Sequence, residues 1–426
     1  MNKDVMGVQE VSPGYEFVAE NPAVPVGYKQ TEVGVIPDEW RVQQVQDFSD
    51  VGRGRVISHR AISTAITPLY PVYSSQTTNN GVMGYLDTFD FEGQYVTWTT
   101  DGANAGTVFY RDGRFNCTNV CGTIRTLTED PQFIARILSK FAPRHVSRHL
   151  GNPKLMNDVM KRATVPLPPL QEQRAIATAL SDVDALLEEL DRLIAKKRDI
   201  KQAAMQQLLT GETRLPGFDG EWESFRLGDH VTFLKTGTNS RAELQSDGND
   251  ASVRYLHYGD IHASKASFMD SSALPFLPSE KAATLGRLQN GDLIMSDASE
   301  DIEGIGKSVE ITNVGTADVV AGLHTIAARF SPDVLADGFK AYLQYCPAFI
   351  TPLRRLAAGT KVYATTRKHV ESIEMQLPGL EEQVAIAHVF KDMDTEIQAL
   401  EQRRSKTAEL KQGMMQELLT GRTRLV

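Results

Sequence analysis

Several groups of residues carry types and spacings that chemistry uses, and none completes a catalytic site. Gly304-Ile305-Gly306-Lys307-Ser308 has the end of a phosphate-cradling loop, but the loop's first glycine belongs where Asp301 stands. His145 and His149 have the helical spacing of metal ligands, yet Val146 replaces a zinc protease's glutamate and no third ligand follows. Asn152-Pro153-Lys154 lacks the second proline and the stacking ring of a motif for methyl transfer to a base amine. Asp297, Glu300, Asp301 and Glu303 form an acidic run that a solvated loop explains. Cys117, Cys121 and Cys346 are too few and too badly spaced for a disulfide framework or a four-ligand zinc site, and read as reduced structural thiols. With no nucleophile, acid–base pair or ligand set left, the chain reads as a binding protein and not an enzyme.

What it offers instead is cations and amides suited to phosphates and base edges. The net charge of −9 argues against a nucleic-acid partner, but distribution matters more than the sum. Residues 131–157 carry Arg136, Lys140, Arg144, Arg148 and Lys154 with no acid, and residues 338–370 carry Lys340, Arg354, Arg355, Lys361, Arg367 and Lys368 with none. A solvated helix face is the alternative reading of either stretch. Beside Arg144 and Arg148, His145 reads better as a phosphate contact than as a ligand. The polar turn from Ser74 to Asn80 supplies Ser75, Gln76, Thr77, Asn79 and Asn80 as candidates for base edges. Gly151-Asn152-Pro153-Lys154 and Gly359-Thr360-Lys361 hold similar places, and their glycines let a backbone approach closely. Lys154 and Lys361 are therefore expected on phosphates, with Tyr363 beside the latter.

These candidates need a scaffold, and a repeat supplies it. Leu167-Pro168-Pro169-Leu170-Gln171-Glu172-Gln173 returns 210 residues later as Leu377-Pro378-Gly379-Leu380-Glu381-Glu382-Gln383. The run from Gln206 to Leu215, containing Leu208-Leu209-Thr210-Gly211, returns at the same offset from Gln416 to Leu425. We call the first element of each copy the entry motif and the second the exit motif. Between them each copy predicts one helix of about 40 residues, roughly 60 Å long, opened by proline and closed by Gly211 or Gly421. Ile176, Leu180, Val183, Leu187, Leu190 and Ile194 make an apolar seam in the first. Ile386, Phe390, Met393, Ile397 and Leu400, then Leu410, Met414 and Leu418, make one in the second. A solitary helix of this kind is unstable, so the two are expected to pair, antiparallel, as an intramolecular spacer. Packing of each helix on its own globular region alone is the alternative.

Trp40 and Trp222 each mark the entrance to a globular region, and the regions differ in sequence while the helices agree. Both show short β-rich runs, such as Gln94–Thr99 and Val253–Tyr258, and end in a helix and a basic stretch, which predicts α/β (α+β) heads. The expected organisation is a mobile tail 1–25, a first head 26–165, a helical spacer 166–215, a second head 216–376 and a second spacer 377–426. The chain shows no signal-peptide pattern and no run of about 18 apolar residues, so a cytoplasmic protein without a membrane is expected.

The entry motif, the exit motif and the opening Gly34-Val35-Ile36-Pro37-Asp38-Glu39-Trp40 resemble the conserved regions of the specificity subunits of type I restriction-modification systems, from about Tyr28 to Val426. Tyr70–Tyr73, Asn80–Tyr85 and Asp101–Gly106 in the first head, and Tyr258-Gly259-Asp260-Ile261 in the second, resemble that family's target-recognition domain pattern. The resemblance implies heads that each read half of an asymmetric, interrupted site in double-stranded DNA, with helices that fix their spacing. Methyltransferase subunits would dock on the helices and a motor nuclease subunit would join them. S-adenosylmethionine, ATP and magnesium would belong to those partners. An adaptor that assembles proteins through two heads without reading DNA is the competing reading, favoured by the acidic charge. A single-chain restriction or modification enzyme is a third, disfavoured by the missing catalytic motifs.

Overall fold

A computed structural model describes residues 24–148, 151–248, 252–357, 359 and 362–425. The tail expected over residues 1–25 lies almost wholly outside the described residues. Two compact units divide the chain, Met1–Leu187 with Lys406–Val426, and Glu188–Ser405. The division falls within both long helices, Leu170–Leu208 and Leu380–Leu418. Each unit is thus one head, the start of the helix that leaves it, and the end of the other helix. No described helix is long and apolar enough to cross a membrane.

In the first unit the strands Ser49–Arg53, Cys121–Thr126, Tyr95–Thr99 and Val108–Arg111 form an antiparallel sheet in that spatial order. The helix Pro131–Phe141 covers it. Proline at its first turn suits that helix, and the Asp130 carboxylate accepts from the Phe133 amide. Phe133, Ile134, Ile137, Leu138 and Phe141 recur at three and four, so one face meets Val96, Trp98 and Ile124 in the core. A second sheet, Val82–Leu86, Tyr70–Tyr73, Arg114–Cys117 and Phe91–Glu92, carries the loop after Tyr73.

In the second unit a five-stranded sheet runs Val231–Leu234, Thr325–Phe330, Leu293–Ser296, Ser308–Thr312, Phe268–Asp270. A three-stranded one joins Phe276–Pro278, Ser252–Leu256 and Val319–Ala321. The β-rich run from Val253 stops at Leu256, short of Tyr258. His257 caps the helix Tyr258–Ala263, its Nδ1 accepting from the Gly259 amide at 3.1 Å while Asp260 accepts from the His257 amide at 2.9 Å.

Each head closes in the same way: the strand that follows its opening tryptophan pairs antiparallel with the strand that leads into its exit helix. These pairs are Arg41–Gln44 with Thr164–Leu167, and Glu223–Arg226 with Glu374–Leu377. The repeated Glu-Gln then has a physical role. In the first unit Glu172 is fully buried and receives Arg424 Nε and Nη2 at 2.6 and 2.8 Å, and Trp40 Nε1 at 3.1 Å. In the second, Arg214 grips Glu382 with the same two nitrogens at 2.6 and 2.5 Å. The exit motif of one copy therefore locks onto the entry motif of the other. Gln173 and Gln383 tie the entries to their heads: Gln173 accepts from the Asp130 amide and Gln383 from that of Ala336, and each donates to the carbonyl of the entry proline. Gly211 and Gly421, at φ 74 and 70, turn the chain out of the helix, a conformation that costs other residues a backbone clash.

The helices pair antiparallel within each unit. Asp191 meets Arg404 at 2.9 Å, Lys197 meets Glu396 at 2.7 Å, and Lys201 pairs with Asp394, so numbers rise on one helix as they fall on the other. In the first unit Lys411 and Arg136 both reach Asp184. Ile176 and Leu180 are buried with Trp40, Leu418 and Leu419; Ile386 and Phe390 are buried with Met205, Leu208 and Leu209. Leu190 and Ile397 are buried in their unit, whereas Val183, Leu187, Met393 and Leu400 are half-buried. Leu410 departs from the expected seam and is 60% exposed, because Lys411, held by Asp184, takes the inward position there.

Candidate nucleic-acid interface

The first head gathers its polar candidates along one rim. The strand Tyr70–Tyr73 enters a tight loop closed by the Ser74 amide on the Gly81 carbonyl at 3.0 Å. Gln76 donates its side-chain amide to the Val82 carbonyl, so this expected base reader is spent on holding the loop. Ser75 is half-buried, while Thr77, Asn79 and Asn80 are exposed at the tip. Asn79 and Asn80 sit at φ 49 and 51, two consecutive left-handed residues of a type that tolerates them. Beneath the loop the Arg111 guanidinium stacks 3.6 Å from the centre of the Tyr73 ring and donates to Thr97 at 3.2 Å. Burial pulls its pKa below the ordinary arginine value. Gly81 sits at φ 80, which strains any other residue, and a side chain there would also crowd Arg111 Nη2 at 3.1 Å.

From this loop a chain of hydrogen bonds runs to the basic stretch. Thr118 bonds Ser74 at 3.1 Å; the neighbouring Asn119 carbonyl accepts from Arg53 Nε. Arg53 Nη2 reaches Thr100 at 2.9 Å and Asp101 at 3.3 Å. Lys154 Nζ lies 3.8 Å from the other Asp101 oxygen. The main chain reinforces the junction, since the Leu155 amide donates to the Thr100 carbonyl at 2.9 Å and Ser147 and Lys154 exchange two bonds of 2.9 Å. Asp101 thus holds two cations at the surface, with Lys154 half exposed. Of the other first-head candidates, Arg144 is exposed and lies over the Phe141 ring, His145 is half-buried, and Arg148 is exposed. Arg136 turns toward Asp184, and Lys140 is half-buried near Arg144. His149, the other member of the rejected ligand pair, lies outside the described residues.

The second head builds the same junction from different residues. Asp297 directly follows the strand Leu293–Ser296 and takes the place of Thr100, one residue before that of Asp101. Its amide donates to the His324 carbonyl at 3.1 Å and its carbonyl accepts from the Thr365 amide at 2.8 Å, as Thr100 does with Val120 and Leu155. Its carboxylate meets His324 Nδ1 at 3.2 Å instead of a permanent cation. Burial pushes the Asp297 carboxyl above the usual range. Of the acidic run, Glu300, Asp301 and Glu303 lie exposed in a loop, where Asp301 accepts from the Gly304 amide at 2.6 Å, and only Asp297 departs from the solvated-loop reading, being two-thirds covered. Ala298–Ser299 pairs with Tyr363–Ala364, which places Tyr363 at this rim. Arg354 binds the Glu303 carbonyl at 2.9 Å, Arg367 binds the Leu234 carbonyl at 3.0 Å, and Arg355 and Lys368 are exposed. Lys361 lies outside the described residues.

The sequence did not single out Arg53, Arg111, Asp101, His324 or Asp297 as site residues. Their side-chain partners lie from 14 to 66 residues away, and no periodicity reports such pairings. The one available signal is the placement of Asp101 and Asp297, each just after a buried strand and before a glycine-bearing turn.

Comparison with known proteins sets this geometry in context. The family model described as type I restriction modification DNA specificity domain matches residues 37–197. A putative type I specificity subunit of Mycoplasma pneumoniae is 34% identical over 209 residues, 49% of this chain and 56% of that relative. The chain thus spans little more than half the length of that relative. A second from the same organism, described as an N-terminus, is 42% identical over 142 residues, 33% of this chain and 75% of the relative. A crystal structure of a type I restriction-modification S subunit from M. genitalium matches with a TM-score of 0.60 at 15% identity, covering 89% of this chain and 96% of that one, a likeness of fold.

Proposed function

Since this chain belongs to the type I restriction-modification DNA specificity subunits, we propose that its two heads read the two halves of an asymmetric, interrupted site in double-stranded DNA. The observation that carries this reading is the shared junction: each head brings an aspartate to the end of the same central strand, one residue apart in register, and surrounds it with different partners. A constant frame bearing different contact residues suits two readers of different sequences. On this reading the long helices set the gap between half-sites and dock methyltransferase subunits, and a motor nuclease subunit joins that assembly in the cytoplasm. The chain itself contributes recognition, not catalysis; S-adenosylmethionine, ATP and magnesium act on the partners.

The second head, with 15 Lys and Arg against 21 Asp and Glu over residues 216–376, is unfavourable beside DNA. Basic partners closing around the duplex would offset this, so the assembled complex should show steep salt dependence and the isolated subunit little binding. Tight specific binding by the subunit alone at physiological salt contradicts that part. That charge is also what favours a DNA-free adaptor. Pull-down of co-purifying subunits with methylome sequencing decides between them. Interrupted, strand-asymmetric adenine methylation that vanishes on deletion supports recognition; methylation unchanged in a strain without a second specificity subunit refutes it. Four residues inserted into each long helix lengthen it by about 6 Å, close to two base-pair rises, and should widen the gap between methylated half-sites.

A further inference from the structure

The two junctions differ in one chemical respect. In the first head Asp101 is held by Arg53 and Lys154, charged at every physiological pH. In the second the aspartate at this strand end is Asp297, one residue earlier at the place of Thr100, and it is held by His324. Three features mark His324 as more than a surface side chain. Its backbone sits at φ 55, in the left-handed region that few non-glycine residues adopt, histidine being among those that do. Its Nδ1 is engaged by a carboxylate, which only accepts, so Nδ1 carries the proton. Its ring stands edge-on to Tyr258 at 5.4 Å and 87°, and half of the side chain is exposed.

With Nδ1 fixed as a donor, the outward Nε2 alone changes on titration. In the neutral ring it is an acceptor and repels a phosphate oxygen; in the imidazolium it is a charged donor. We propose that His324 is a proton-dependent contact to the DNA phosphate in the second head, at the strand end where Arg53 and Lys154 gather in the first. The proposal rests on the reading of both heads as DNA-binding.

The groups around the ring are accounted for. Asp297 takes the Nδ1 side of the ring. From the helix Tyr258–Ala263, His257 is capped against the Gly259 amide, with burial pulling its pKa below the ordinary value, and His262 Nε2 is held by Ser296 at 2.9 Å. Lys307 donates to the His262 carbonyl at 2.8 Å, Arg241 is paired with Asp260, and His369 Nδ1 is engaged by Thr365 at 3.2 Å. Among the described residues, only His324 of these imidazoles has both a carboxylate partner on one nitrogen and a free second nitrogen on a half-exposed ring.

The test uses the assembled methyltransferase complex and a duplex containing its methylated site. The slope of log affinity against log salt is measured at about pH 6 and about pH 8, bracketing imidazole titration. One phosphate contact changes that slope by about 0.9, so wild type should be steeper at the lower pH by about that amount. His324→Arg should be steep at both, and His324→Asn, which tolerates the left-handed backbone, shallow at both. A His324→Asn complex that keeps the wild-type difference overturns the proposal and assigns the effect to His257, His262 or His369. Should that variant fail to assemble, wild-type protein with single neutral methylphosphonates through the second half-site replaces it. One position should then abolish the pH difference, and persistence at every position refutes the contact. Specific binding with no pH difference also refutes it while leaving the DNA reading intact. A complex that selects no sequence at all defeats the DNA reading itself.

Discussion

The two tryptophans that open the heads occupy equivalent places and differ in how firmly they are held. Trp40 is fully buried, donates to Glu172, and is covered by Pro37 and Gly421. Trp222 is only partly buried, its Nε1 has no partner, and it borders a cavity of about 500 Å³ with Leu209, Thr210, Cys346 and Met375. One repeated motif has therefore produced a closed joint in one unit and a loose one in the other. What differs is the covering segment: the strands Tyr28–Thr31 and Gly34–Pro37 lead into Trp40, and the Tyr28 hydroxyl donates to the Gly421 carbonyl at 3.0 Å. The chain before Trp222 instead comes directly from the exit motif and forms no such hairpin.

That contrast breaks first at the tryptophans. Trp40→Ala should destabilise its unit by about 3–5 kcal/mol, the range for a buried aromatic, and Trp222→Ala by about half as much. Hydrogen exchange followed separately over the peptides of each unit reads both effects. Equal losses would mean that the joints are equivalent despite their burial. The carboxylates come next. Glu172→Gln leaves Arg424 without its partner and disturbs Trp40, and is expected to cost about 2–3 kcal/mol. Glu382→Gln disturbs only Arg214 and should cost about 1–2 kcal/mol, because both arginines keep a quarter of their surface in water. A larger loss at Glu382 would reverse the order argued from Trp40.

These joints show where the sequence was readable and where it stopped. The repeated Glu-Gln and Thr-Gly-x-Thr-Arg-Leu were visible as a pattern, and so was the helix that each pair brackets. That Arg424 binds Glu172, 252 residues away, was not, because a local pattern carries no record of which distant copy it meets. The seam was legible at Ile176, Leu180, Ile386 and Phe390, where apolar periodicity and burial coincide. It failed at Leu410, where the ion pair of Lys411 with Asp184 decides the inward face. At the interface, Lys154 was legible as a cation in an acid-free stretch. Its partner Asp101 was visible only as part of a motif, and the bond by which Gln76 closes its own loop on the Val82 carbonyl was not visible at all. Side chains that serve the loop and side chains that serve a ligand look alike in a sequence.

The units should also differ in their response to pH. Glu310 is buried in the second, accepting from the Gly338 and Ala341 amides at 2.6 and 2.9 Å, and burial pushes its pKa up to about 7. A carboxyl raised above its unfolded value binds its proton more tightly in the folded state. Its contribution is full below the unfolded pKa and is lost as pH rises through about 7. The second unit should therefore lose on the order of 2 kcal/mol between about pH 4.5 and 7.5, and Glu310→Gln should remove most of that slope. A slope that persists unchanged in Glu310→Gln places the titrating group elsewhere.

The smallest effect is the most informative about function. Lys154 is tethered to Asp101 only at 3.8 Å and is half exposed, so its loss should leave the first head folded. If it holds a phosphate, Lys154→Ala should weaken DNA binding by the complex about tenfold at low salt and reduce the salt slope by about 0.9. Because phosphates carry no sequence information, the loss should be the same on cognate and scrambled duplexes, and Lys154→Arg should restore most of it. The same substitution should leave the pH difference ascribed to the second head untouched, since the aspartate in the first head is also held by Arg53. A Lys154→Ala complex that binds scrambled DNA normally but loses the cognate site would make Lys154 a base reader. The division of labour between the rim cations and the Asn79–Asn80 tip would then have to be redrawn.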